Sequence, residues 1–245
     1  FANHPQPTVA SDDFPEGEHV DVIVAGAGLT GLATAVLLAR AGMRVAVLEA
    51  RTVGAVTTGH STAKLSLLQG LTLSGILAHH SEDVVRAYVE GNREGQAWLV
   101  RYMDDQGVAH QRRDAWTYAT TERGLDDLRV ELEASAIAGV DAVWTTETEL
   151  PFEVRGALKL PDQVQIDPLL VLDALARELK ERGGLLVERT RVTDAGSGSP
   201  VIVTTSAGRM SANELILATG TPILDRGAYF AKLTPQRSYV TTYRV

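Results

Sequence analysis

The sequence predicts an α/β fold in three layers: a Rossmann-like nucleotide-binding domain into which a smaller mixed-sheet domain is inserted. Three observations predict it. Asp21 to Glu49, DVIVAGAGLTGLATAVLLARAGMRVAVLE, spells strand, glycine turn, helix, strand and acid, which together make a complete βαβ unit. Asp167 to Gly220 returns to clear helix and strand patterns. Between them, Val108 to Leu160 drops the strict alternation and carries irregular segments with Trp116, Tyr118, Trp144 and Phe152.

Taken in order, FANHPQPTVASDDFPEGEH is rich in Pro, Asp and Glu, so residues 1–19 read as a tail before the first strand. The chain does not begin with Met, as expected of a trimmed or partial chain. Val22 to Ala25 is a short apolar run suited to a strand buried on both faces. Gly26, Gly28 and Gly31 follow as G-x-G-x-x-G. The first permits the tight turn, the second lets a pyrophosphate approach the backbone, and the third lets helix pack on sheet. Leu29 to Ala41 holds good helix formers, and Gly42 stops them. The helix start offers free N–H groups and a positive dipole end to a phosphate. Val45 to Leu48 is the second strand, ending in Glu49, 23 positions after Gly26. That is close to the ~20 expected of an acid that binds a ribose 2′-OH. Arg51 is near, but the acid repels a 2′-phosphate, so the adenosine is read as unphosphorylated. These features do not separate NAD from FAD.

Arg51 to Lys64, RTVGAVTTGHSTAK, is a polar loop. Ser81 to Gln106 predicts a helix with Val85, Tyr88, Asn92, Gly95, Leu99 and Tyr102/Met103 on one stripe, stopped by Gly107. His79 and His80 read as solvated, because adjacent residues do not share a helix face. Val108 to Thr120 suits a strand, and Glu122 to Gly139 a helix with Leu125, Leu128, Leu132 and Ala136 inward. Asp167 caps a helix with Pro168 at its first position, and Gly183-Gly184 ends it. Strands are expected at Leu185 to Glu188, at a hairpin of Val201 to Thr205 and Arg209 to Met210, at Glu214 to Ala218, and at Ser238 to Val245.

Composition narrows the function. The chain has 245 residues, 44% apolar and 22% charged, an ordinary globular balance. It has no cysteine, which excludes disulfides, thiolate metal sites, cysteine-ligated iron–sulfur clusters and cysteine-linked flavin within it. The net charge of −8 argues against nucleic-acid binding. No apolar run approaches the ~20 residues of a membrane span. The N-terminus lacks the pattern of a secretory signal, and the chain is read as cytoplasmic.

The order GAGLTG, Glu-tipped strand, TTGHSTAK, IDPLLVLDALARELKERGG, RV, hairpin and ELILATG resembles the FAD-dependent oxidoreductases of the D-amino-acid oxidase type, which include glycine oxidase and sarcosine oxidase. The resemblance runs from about Val20 to Val245. TTGHSTAKL and the terminal RSYV look most like bacterial members with a downstream Rieske domain. The resemblance implies an FAD-binding domain of residues 20–107 and 152–226, and a truncated substrate domain of 108–151 and 227–245. Gly26, Gly28, Leu29, Thr30 and Gly31 would hold the pyrophosphate. Glu49 would bind the adenosine ribose with Ala50 and Arg51 beside it. Thr57 and Thr58 would contact phosphate and ribityl, and the loop continues through Gly59. Ser61, Thr62, Ala63 and Lys64 would pass near the flavin ring. Val192 would bind adenine through its backbone, and Ala218, Thr219 and Gly220 would close over the pyrophosphate. His60 falls near the position that is linked covalently to flavin in some relatives; its flanks differ, so the expectation is non-covalent FAD.

The resemblance implies oxidation of a C–N bond in an amine or amino acid, with a hydride passing to flavin and water hydrolysing the imine. Lys64 is the candidate cation beside the flavin; no catalytic base is assigned and no metal is expected. The electron acceptor is oxygen or a Rieske [2Fe-2S] domain outside this chain, whose CxH motifs are absent from it. Family members continue beyond this length, so an N-terminal fragment is expected. A NAD-binding dehydrogenase domain and a non-catalytic flavin-binding module stay open as alternatives.

Overall fold

The computed structural model describes residues 7–224 and 227–234. The first βαβ unit is β1 (His19–Ala25), α1 (Leu29–Arg40) and β2 (Val45–Leu48). All four residues of β2 are buried, as a strand covered on both faces requires. Gly42 ends the helix at φ +85°. Next come β3 (Lys64–Leu65), α2 (Thr72–Leu77), α3 (Glu82–Gln106), β4 (His110–Ala119), α4 (Glu122–Ile137), β5 (Val143–Thr145) and β6 (Gly156–Ile166). Then follow α5 (Pro168–Glu181), β7 (Leu185–Val187), β8 (Val192–Ala195), β9 (Val201–Thr205) and β10 (Arg209–Leu217). The strand expected at Ser238 to Val245 lies outside the described residues. Among the described residues no helix is long and apolar enough to cross a membrane.

The described residues divide into two compact units, one holding residues 7–60 and those from Leu172 to 234, the other Ser61–Val171. The first is built on a six-stranded sheet in the order β7-β2-β1-β10-β9-β8. β7, β2, β1 and β10 run parallel, and β8 and β9 join as an antiparallel meander. Ile23, Leu48, Val187, Val203 and Met210 share a core cluster of this sheet. α1 is tied to α5 by Arg40, which donates Nε and Nη2 to Glu178 at 2.7 and 2.8 Å.

The sequence reading splits Arg209 to Ala218 into a hairpin arm and a separate strand. The structure runs Arg209–Leu217 as one strand, because β9 pairs with its first half while β1 pairs alongside from Ser211 to Leu217. The segment read as a tail is also seated: Phe14 packs against the sheet core, and Asp12 N–H donates to the Leu186 carbonyl at 2.8 Å.

The second unit carries the antiparallel sheet β3-β6-β4, with β5 also on β6. The sequence division places 61–107 and 152–171 with the nucleotide-binding domain; in the structure these residues fall in the second unit. The reason is packing: Val85 and Val89 of α3 share a cluster with Leu128 of α4 and Leu158 and Leu160 of β6. α2 is too short to show periodicity in sequence. It is held by Glu131, a fully buried residue of α4, whose carboxylate accepts the N–H groups of Leu73 and Ser74 at 3.1 and 2.8 Å. These are orphan donors of a helix start.

Candidate functional site

In the first unit, β1 lies between β2 and β10. The chain leaves β1 through α1 to reach β2 on one side, while β10 arrives on the other. Such a reversal is where parallel α/β sheets open a crevice beyond the carboxyl ends of their strands. A cleft of about 690 Å³ opens there.

The glycine turn forms one wall. Gly26 sits at φ +108°, and a Cβ on it would come within 2.5 Å of the Ala218 carbonyl oxygen. A Cβ on Gly31 would strike the Gly26 carbonyl oxygen, and one on Gly28 would lie 3.2 Å from Thr58 Oγ1. Gly31 is therefore buried beneath the turn as a packing contact, while Gly26, Gly28, Leu29 and Thr30 line the cleft. Gly28 precedes α1 and, as its N-cap residue, offers no side-chain cap; Thr58 takes the Leu29 N–H, and the start of the helix suits an anion.

Glu49 closes the far side with Ala50 and Arg51. Its carboxylate accepts Ala27 N–H and Arg51 N–H, each at 2.8 Å, so one side chain braces the glycine turn against the exit of β2. An ionised carboxylate has about four acceptor positions, which leaves capacity for ribose hydroxyls. The following loop folds back over the turn. Gly54 N–H donates to the Ala27 carbonyl at 3.3 Å, and Thr58 Oγ1 accepts Leu29 N–H at 3.2 Å. Thr57 and Thr58 line the cleft.

Val192 at the start of β8 and the segment Ala218, Thr219 and Gly220 complete the lining. Ala218 is fixed by its N–H to the Ala25 carbonyl at 2.8 Å. The lining also includes Gly54, Ala55, Val56, Arg191, Thr221 and Ile223, which the sequence reading did not single out. Gly54, Ala55 and Val56 fall within the Arg51–Lys64 loop, Arg191 and Thr221 adjoin named residues, and Ile223 follows three positions after Gly220.

Gly59 to Lys64, the rest of the TTGHSTAK stretch, are not among the cleft's lining residues. Gly59 N–H donates to the Gly54 carbonyl at 3.1 Å, and His60 Nδ1–H to the Val56 carbonyl at 2.8 Å; neither residue is among the cleft lining. Ser61, Thr62, Ala63 and Lys64 belong to the second unit. Ala63 is held at φ +62°; its N–H reaches Ser61 Oγ at 3.2 Å and its carbonyl accepts Ile166 N–H at 3.0 Å. Lys64 is exposed and pairs with Gln165.

The cradle fits an adenine dinucleotide: small residues where a pyrophosphate needs the backbone, a helix start whose N-cap glycine has no side chain, and an acid at the ribose end. The model of the family described as DAO, FAD dependent oxidoreductase, matches residues 21–245. The chain is 29% identical over 229 residues to YhfW of Bacillus subtilis (strain 168), which carries the name of a Rieske 2Fe-2S iron-sulfur protein; the match covers 92% of this chain and 45% of that one. It is 27% identical over 213 residues to glycine oxidase of Bacillus licheniformis, covering 82% of this chain and 54% of the relative. The crystal structure of glycine oxidase from Geobacillus kaustophilus aligns with a TM-score of 0.64 at 23% identity, over 82% of this chain and 55% of that one; this likeness is one of fold. The chain thus spans about half the length of the curated relatives it matches. By its family match over residues 21–245, the chain belongs to the DAO family of FAD-dependent oxidoreductases.

Proposed function

We propose that this chain holds FAD for the oxidation of a C–N bond in a small amine or amino acid. The observation that carries the reading is the cleft at the sheet switch point, where the glycine turn, the start of α1 behind its N-cap Gly28, and Glu49 converge. The family match supports the flavin. The names of the glycine oxidases, and of a gamma-glutamylputrescine oxidoreductase from Escherichia coli (strain K12), support the substrate class.

The chain's own residues divide the work. Gly26, Gly28, Leu29, Thr30 and Gly31 form the pyrophosphate cradle, with Thr57 and Thr58 bounding it. Glu49 accepts the ribose hydroxyls, with Ala50 and Arg51 beside it and the backbone of Val192 facing adenine. Ala218, Thr219 and Gly220 close the opposite wall. When bound, flavin would supply the two-electron oxidation as hydride acceptor, and water would hydrolyse the oxidised C–N bond. Gly59 through Lys64 carry the chain on from the cleft loop, and Lys64 supplies the cation on the flavin side. The flavin is held non-covalently, without a link to His60, whose Nδ1–H reaches the Val56 carbonyl. The electron acceptor would be oxygen or a Rieske [2Fe-2S] domain outside this chain; the name of YhfW supports the second.

The test is a visible absorption spectrum of the purified protein before and after denaturation and filtration. Flavin bands near ~450 nm that pass the filter are expected. Protein that neither carries nor takes up FAD overturns the cofactor assignment. FAD-loaded protein of family length that no amine or amino acid reduces overturns the substrate class.

A further inference from the structure

Residues before the family match, which begins at residue 21, are seated on the edge of the cofactor unit. β7 is an edge strand of the six-stranded sheet, and an edge strand presents unpaired N–H and C=O groups. Here those groups are taken by the N-terminal segment. Asp12 N–H donates to the Leu186 carbonyl at 2.8 Å, and Leu186 N–H donates back to Asp12 Oδ2 at 2.8 Å. Two residues further along, Glu188 N–H donates to Ser11 Oγ at 2.9 Å. The segment is anchored at both ends. Thr8 binds Asp173 of α5 through its N–H and its hydroxyl, and Asp12 is paired with Lys180. Phe14 packs on the sheet core, and Glu16 accepts Arg209 N–H at 3.0 Å.

The far side of this edge is tied to the cleft. Glu49 N–H donates to the Val187 carbonyl, Thr190 N–H to the Glu49 carbonyl, and Arg189 N–H to the Arg51 carbonyl, each at 2.8 Å. Glu188 Oε1 accepts Val53 N–H at 2.7 Å. Val53 is buried and leads directly into Gly54 to Thr58, which line the cleft. Glu188 thus stands between the two: its backbone is held by Ser11, and its carboxylate holds the root of the cofactor loop.

We infer that residues 8–17 form a strap whose Ser11 and Asp12, acting through Glu188, position the cleft loop Val53–Thr58 for FAD. Ser11, Asp12 and Glu188 are positioning residues, since none of them lines the cleft. The inference rests on the FAD reading for its ligand but not for its mechanics.

Ser11→Ala, Asp12→Ala and Glu188→Leu in the full chain test it, with FAD affinity read by flavin fluorescence and amide exchange at Val53 and Gly54 read without cofactor. Each variant is expected to weaken FAD binding by roughly five- to tenfold, the scale of one lost hydrogen bond, and to speed exchange at Val53. Glu188→Gln, which keeps an acceptor oxygen, and Ser11→Thr are expected to restore both. Lys180→Met removes the strap's ion pair but none of the bonds to β7, so it is expected to leave FAD affinity unchanged. A parent that binds FAD while all three loss variants bind it within twofold overturns the strap. A parent that binds no FAD ends the cofactor reading instead, and exchange at Val53 then decides the strap: faster in the variants supports it, unchanged overturns it.

Discussion

Replacing Glu178 by Gln removes a charge from the contact between α1 and α5. Glu178 is 5% exposed at its side chain and accepts Arg40 Nε and Nη2 at 2.7 and 2.8 Å and Arg182 Nε at 2.7 Å. The hydrogen bonds from Arg40, with the one from Arg182, outweigh the cost of burial and hold the carboxyl at about 2 against an ordinary 4.5. Each pH unit of such a depression is worth about 1.36 kcal/mol, so the charge contributes ~3 kcal/mol at neutral pH. The sign follows from the folded value lying below the unfolded one. The contribution is complete above the unfolded value of 4.5 and is lost as pH falls from there through about 2. Glu178→Gln is therefore expected to cost up to ~3 kcal/mol at pH 7, and the gap between parent and variant is expected to close as pH approaches about 2. Denaturant unfolding followed by circular dichroism at several pH values reads this directly. A penalty as large at acid pH as at pH 7, or none at pH 7, would refute the assignment of this stability to the ionised carboxylate.

Three further outcomes are expected. Gly31→Ala forces a methyl against the Gly26 carbonyl; it is expected to cost ~1–3 kcal/mol in unfolding and to abolish FAD uptake, read by calorimetry and by absorbance, and normal FAD loading in the variant contradicts the cradle. Thr58→Val removes the acceptor for Leu29 N–H and is expected to weaken FAD by about fivefold, or ~1 kcal/mol, in a fluorescence titration. Lys64→Ala is expected to slow flavin reduction or reoxidation by roughly tenfold or more in stopped-flow traces; unchanged rates in both directions end the role proposed for that cation.

The βαβ unit was legible because everything it needs is local. A four-residue apolar run, three glycines at fixed spacing, a helix without proline and an acid at the strand tip all lie within Asp21–Glu49, and each constrains the backbone or the packing within a turn or two. The helix stops at Gly42, Gly107 and Gly183 were legible for the same reason: all three adopt the positive φ that glycine tolerates best. The helix and hairpin before Gly220 could likewise be placed by periodicity and turn residues. What sequence reading did not reach are pairings that cross the chain. The continuity of β10 is set by two different neighbours, β9 and β1. The cap of α2 comes from Glu131, more than fifty residues downstream. The seat of the N-terminal segment on β7 joins Asp12 to Leu186, and the cofactor loop is braced by Glu188, 135 positions from Val53. A buried N–H must find an acceptor, and local sequence shows where such donors fall. Only the tertiary fold decides which distant oxygen arrives to meet them, because that depends on how sheets and helices pack around a shared core rather than on any residue's own neighbours.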